Sequence, residues 1–315
     1  MTRPRNGTPS LPNESPGTTR SADAAATRRR RNGGPWATAF LAPIAILVGG
    51  FVLYPLVDTF QISLTDSSGF SRGDAVGMSN YSELVSSPSF RGALVNSIWI
   101  SAVVTLVLAA APMPLAYVIH QRIPFRRFFR AALYLPVVVP IIVSSVAWKF
   151  VLDERGLANY VLQALGLITE PVGWLSDPAI AIWTVCFVIV WRSLGIYLLI
   201  YLSSLLTVPD ELFEAARVDG AGSVRTFASV VVPLMRPAIM LSLVVSFASS
   251  MKAFDEIYVL TGGGPLNSTK NVGYLIWESA FKNLEFGLAS AMAVAFFVIV
   301  AVLVGGLGMI ARRTT

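Results

Sequence analysis

The chain is poor in the residues from which catalytic and metal sites are built. One cysteine, Cys186, and one histidine, His120, occur in 315 residues, and only 13% of residues are charged. A single thiol excludes an internal disulfide framework, and Cys186 lies in an apolar stretch, where it reads as a small buried hydrophobe. His120 stands alone at a basic edge and reads as a flanking residue. One His and one Cys supply neither a metal-ligand set nor a nucleophile with its base, so neither a metal site nor an enzyme is expected. A phosphate-cradling Gly-x-x-x-x-Gly-Lys-Ser/Thr loop is also missing. The run Gly262-Gly263-Gly264-Pro265 lacks the following lysine, a strand before it and a helix after it. Nothing in the sequence can hydrolyse ATP.

What the chain has instead is apolar length. Hydrophobic residues make up 54% and fall in blocks long enough to cross about 30 Å of hydrocarbon. Six spans are expected, at 37–57, 93–119, 131–152, 179–206, 238–260 and 287–311. Lipid cannot satisfy an open backbone, so the spans are expected to be helical. A β-barrel would need short alternating segments, which are absent. The expected fold is an all-α integral membrane protein.

Charge gives an orientation. Arg3, Arg5, Arg20 and Arg28 to Arg31 precede the first span. Arg122, Arg126, Arg127 and Arg130 follow the second, Arg217, Arg225 and Arg236 the fourth, and Arg312 and Arg313 the last. These are 16 of the 24 Lys and Arg, all on one side. By the positive-inside rule that side is the cytoplasm, with both termini inside. The pI of about 9.7 therefore reports topology, and no nucleic-acid partner is expected, since no aromatic residues are interleaved with the charges on a soluble face. Residues 1–35 are rich in Thr, Pro, Ser, Asn, Gly and Arg and nearly free of large apolar side chains, which predicts a disordered cytoplasmic tail. The first span is too long for a usual signal sequence, and Asp58-Thr59-Phe60-Gln61 offers no small-residue cleavage site. Residues 36–313 are read as one transmembrane domain.

Within that domain the polar segment 207–237 reads as a helix-turn-helix. Pro209 suits a first helical turn, Asp210 and Glu211 complement a helix N-terminus, and Leu212, Phe213 and Ala216 share a face. Gly220 suits a left-handed stop. Ser223 can cap a second helix bearing Val224, Phe227, Val230 and Val231, which Pro233 closes. On physics alone the product could also be an interfacial hairpin that merely joins two spans.

The run Glu214-Ala215-Ala216, with Asp219-Gly220-Ala221 and Pro233, resembles the EAA segment of membrane subunits of ATP-binding-cassette (ABC) importers. Only the three valines 230–232 depart from its usual isoleucine and leucine. Asn80-Tyr81, Trp148 to Asp153, Gly173 to Pro178, and Phe254-Asp255-Glu256-Ile257-Tyr258-Val259-Leu260-Thr261-Gly262-Gly263-Gly264-Pro265 extend the likeness to the carbohydrate-uptake, maltose-permease-like group of these permeases. The resemblance implies six helices of the type I ABC importer architecture. It implies a sister permease in a heterodimer, two cytoplasmic ATPase subunits that bind the ATP and Mg, and an extracytoplasmic solute-binding protein, in the plasma membrane of a prokaryote. Glu214 to Ala221 would sit in a cleft on the ATPase, with Phe213 and Phe227 as apolar anchors.

For the solute path, Arg192 lies near the middle of the fourth span, where a cation needs an interior partner or water. The family's sugar site implies Arg192, Ser193 and Tyr197 on one side and Met251, Lys252 and Asp255 on the other. Two plainer readings stand beside it: Lys252 could pair locally with Asp255 and Glu256 at i+3 and i+4, and Arg192 could pair with a sister-subunit carboxylate. Trp148 and Lys149 read as markers of the membrane interface. A mono- or oligosaccharide is the first expectation for the solute, and glycerol phosphate or a phosphodiester the second. An ion-coupled secondary transporter would show intramembrane acidic residues or broken helices at corresponding places in two repeats; the sequence shows neither a buried carboxylate chain nor an internal repeat.

Overall fold

The structure, a computed structural model, describes residues 35–69, 71, 73–121 and 123–314. The tail expected over 1–35 lies, except for Pro35, outside the described residues. The described chain is helical throughout, and its only β pairing is two isolated bridges, Thr65–Ala75 and Ser68–Ser71. It falls into two units, divided at Asp58 and Thr59. Helix α1 runs over 35–62 with a π turn at Gly49–Leu53. From Phe40 to Val57 it displays its large apolar side chains openly.

The second unit is built around one long helix. Ser87 caps α3 (Pro88–Ala110) by accepting from the Phe90 amide. A short α2 (Ser79–Ser86) precedes it. A break at Ala111, before Pro112, leads into α4 (Pro112–His120), and Tyr201 Oη donates to the Ala109 carbonyl beside it at 2.8 Å. Helices α5 (Arg126–Val138) and α6 (Ile141–Val151) are followed by the short α7 (Leu157–Ala164). Asp177 caps α8 (Pro178–Leu205) through the Ala179 amide, with Pro178 in the first turn. At 28 residues α8 is about 42 Å long, ample for a hydrocarbon core of about 30 Å. Then come α9 (Asp210–Val218), α10 (Ser223–Leu234), α11 (Arg236–Met251), α12 (Asp255–Leu260), α13 (Val272–Trp277) and α14 (Phe286–Thr314).

Four helices are long and apolar enough to cross a membrane, and six if each bent pair is one span. The expected third span is bent by 102° between α5 and α6. Val139 there is extended (φ −73°, ψ 131°), because the residue before a proline, here Pro140, is driven out of the helical region. The expected fifth span also stops early. α11 ends at Met251, and Asp255 to Leu260 form a separate helix after a break at Lys252–Phe254. Asn271 braces that break by donating from Nδ2 to the Ala253 carbonyl. In α11, Ser246 and Ser250 hydroxyls donate to the carbonyls of Ser242 and Ser246, a back-bonding that bends helices.

Packing is densest where α3 meets α11 and α8 meets α4 and α5. Small hydroxyl residues, Ser97, Ser101 and Thr105 on α3 and Ser242, Ser246 and Ser250 on α11, are buried on these two helices, letting their backbones approach closely. One apolar cluster joins α3, α8 and α12 through Ile100, Val104, Val185, Ile189 and Ile257. Another joins α4, α8 and α10 through Met113, Leu198, Tyr201, Leu205 and Val231. A third holds Phe90, Met251, Val272, Met292 and Phe296.

Candidate solute cavity and coupling helices

The two helix breaks meet at one cavity. Ile141, the first residue after the α5–α6 bend, lines it, as do Lys252, Ala253 and Phe254 of the second break. Irregular backbone at membrane depth is tolerated where it is buried or borders a polar cavity, so the two interruptions mark this place as special. Its volume is about 140 Å³, below the roughly 300–1,000 Å³ usual for ligand pockets.

Five of the six residues expected on the solute path line this cavity: Arg192, Ser193, Tyr197, Lys252 and Asp255. Met251 does not. It is fully buried against Phe90, Val272 and Met292. Sequence reasoning missed Ser246, Ser249 and Ser250, which supply hydroxyls to the lining, and above all Glu256. Arg192 Nε donates to Glu256 Oε1 at 3.0 Å, with side-chain exposures of 20% and 4%. Within its own chain Arg192 therefore has Glu256 as a partner. The local Lys252–Asp255–Glu256 cluster also fails to form among the described residues. An i,i+4 pair needs a continuous helix, and the break at Lys252–Phe254 removes it. Two cations and two carboxylates border the cavity, so its charge is balanced.

The polar segment forms the expected helix pair, with altered details. Pro209 is the N-cap of α9, one place before the first helical residue. α9 ends in a Schellman motif: the Ala221 amide donates to Ala216 O at 2.9 Å and the Gly220 amide to Arg217 O at 3.0 Å. Gly220 has φ +73°, which a side chain with a Cβ resists. Ser223 does not cap α10 with its side chain. Its Oγ instead accepts from Gln121 Nε2 at 2.8 Å, and its carbonyl from Tyr117 Oη at 3.4 Å, tying the turn to α4. Pro233 lies within α10 and does not close it. The π turn Phe227–Val231 precedes Pro233, and the helix turns by 70° only after Leu234.

Glu214, Ala215, Asp219 and Gly220 are exposed, whereas Ala216 is buried. Phe213 and Phe227 turn inward: the first lies 5.8 Å from the His120 ring and the second 5.3 Å from Tyr117. The open apolar side chains beside the turn are Val218, which the helical pattern had not singled out, and Val224, which it had placed on the apolar face of the second helix, at 87% and 83% exposure. A cleft of about 520 Å³ between α4 and this pair is lined by Glu214, Phe213, Ala221, His120, Gln121 and Ser223.

Apolar spans, a cavity where broken helices meet, and a polar helix pair at one end define a multi-pass membrane transport subunit. The chain belongs to the family described as binding-protein-dependent transport system inner membrane component, which matches residues 113–315. It is accordingly a permease subunit of an ABC importer and not an enzyme. It is 33% identical to a probable ABC transporter permease protein, YurN, of Bacillus subtilis, over 82% of this chain and 90% of that one. It is 31% identical to the trehalose/maltose transport system permease protein MalF of Thermococcus litoralis, over 82% and 88%. Its fold matches a solved bacterial ABC transporter involved in the import of the acidic polysaccharide alginate, with TM-score 0.79, 21% identity and coverage of 94% and 99%. That likeness fixes the type I permease fold.

Proposed function

We propose that this subunit carries a neutral mono- or oligosaccharide, delivered by an extracytoplasmic binding protein, through the cavity at Arg192, Ser193, Tyr197, Lys252, Asp255 and Glu256. The observation that carries this reading is the charge balance: the Arg192 guanidinium is already engaged by Glu256, while seryl and tyrosyl hydroxyls and the Phe254 ring border the rest. Such a lining suits hydroxyl groups and C–H faces. Glycerol phosphate or a phosphodiester is a poorer fit, since it would compete with Glu256 for the same cation. Trehalose and maltose in the name of one relative support the sugar assignment.

A sister permease completes the cavity, and two ATPase subunits hold the ATP and Mg. α9 and the turn to α10 dock on an ATPase, with Glu214, Asp219 and Gly220 at the contact and Val218 and Val224 as its open apolar side chains. Closure of the ATPase pair then moves the spans as rigid bodies about the two breaks, exchanging access from one side to the other. In this arrangement α9 and α10 face the cytoplasm of a prokaryotic cell, both termini are inside, and residues 1–35 form a cytoplasmic tail. The test is the ligand that copurifies with the cognate binding protein. A neutral sugar supports the reading, and a phosphate ester overturns it.

A further inference from the structure

We propose that the channel between α5 and α8 is a binding site for an anionic phospholipid in the leaflet on the α9 side. The two helices cross at Gly195, where an added Cβ would stand 2.6 Å from the Leu133 carbonyl oxygen and 2.9 Å from Tyr134 Cα. This close crossing leaves a groove of about 510 Å³ alongside it, floored by Ile196, Leu199, Ile200 and Leu206, with Tyr134 and Arg130 on its other wall. A second hollow of about 470 Å³ shares Arg130 and Leu206 with the first and adds Arg126. The two hollows adjoin at Arg130 and Leu206, so that the apolar groove meets Arg126 and Arg130 at one end.

Length and charge identify the occupant. From Leu206 to Ile196 the groove follows α8 for about 15 Å, half of a hydrocarbon core of about 30 Å, so it is one leaflet deep. A transmembrane helix of a partner would need a surface running on past that depth; one acyl chain would not. Among the described residues neither Arg126 nor Arg130 forms an ion pair, and both are exposed. Asp210 and His120 also line the second hollow, so two arginines stand against one carboxylate where a phosphate would bind. Phe128 and Phe129 on α5 are exposed between them in sequence, adding apolar surface at the basic end. Basic pockets between helices are suited to anionic headgroups.

The experiment uses the whole importer with all its subunits, purified in mild detergent and offered phosphatidylglycerol and phosphatidylcholine together, with retained lipid counted by native mass spectrometry. The wild type should keep phosphatidylglycerol preferentially. Arg126→Gln/Arg130→Gln should weaken that retention roughly thirty-fold. Leu199→Trp, which fills the groove and leaves both arginines, should abolish it. Equal retention of the two lipids, or unchanged retention in either variant, overturns the proposal. Loss of the sister permease from the Leu199→Trp complex overturns it too, and assigns the groove to that subunit.

Discussion

Arg192 and Glu256 are 64 residues apart, on α8 and α12, and meet at 3.0 Å. The cation was legible in the sequence, because a charge in mid-span demands a partner. Its partner was not, since local spacing matched Glu256 with Lys252 and only the helix break reveals otherwise. Removing one member of a buried pair strands the other, at about 3–5 kcal/mol. Arg192→Gln and Glu256→Gln should therefore each lower the melting temperature of the complex. The double variant Arg192→Gln/Glu256→Gln should recover most of the loss, because no charge is left unpaired. If the pair lines the solute path, uptake stays low in the double variant while melting recovers. Recovery of both would make the pair purely structural. Met251 makes the complementary point: the resemblance to the family's sugar site implied it, but at the end of α11 its side chain turns into the core.

At the level of elements, the helices and their polar interruption could be read from apolar blocks and from Pro and Gly, whereas the bends could not be located. Pro140 disfavours helix at Val139, but the span 131–152 was read as one helix, because a long apolar run masks the difference between a straight helix and two short ones. Ser223 was misread because its competing partner, Gln121, comes from another helix. Gly220 was read correctly, and its role separates conformation from volume. No atom lies within 4 Å of an added Cβ there, so the cost of substitution is backbone strain alone, about 1–2 kcal/mol for a left-handed non-glycine residue. Gly220→Val should cut uptake while the subunit still reaches the membrane, and Gly220→Asn, which tolerates that conformation, should retain most of it. Equal loss in both would assign the effect to contact with the ATPase and not to the turn. At the α5–α8 crossing the opposite holds: Gly195→Leu meets backbone atoms and should lower the melting temperature of the complex, as a circular-dichroism melt would report.

For the molecule as a whole, membrane class and family membership were accessible because composition and motif spacing need no tertiary knowledge. The cavity was accessible only in outline, since Ser246, Ser249 and Ser250 of its lining look unremarkable in an apolar sequence. Orientation can be checked with single cysteines in a Cys186→Ala background: Ser71→Cys and Ser176→Cys, both at exposed positions, should react with an impermeant thiol reagent from outside intact cells, and Ser223→Cys should not. Labelling of Ser223→Cys alone would invert the topology. The central claim, that a separate ATPase drives solute through this subunit, is tested most directly in proteoliposomes holding the complete importer. With the loaded binding protein outside and ATP and Mg inside, labelled sugar should accumulate, and it should cease to accumulate when ATP is replaced by a non-hydrolysable analogue. Accumulation that proceeds without hydrolysis and follows an imposed ion gradient would contradict the account.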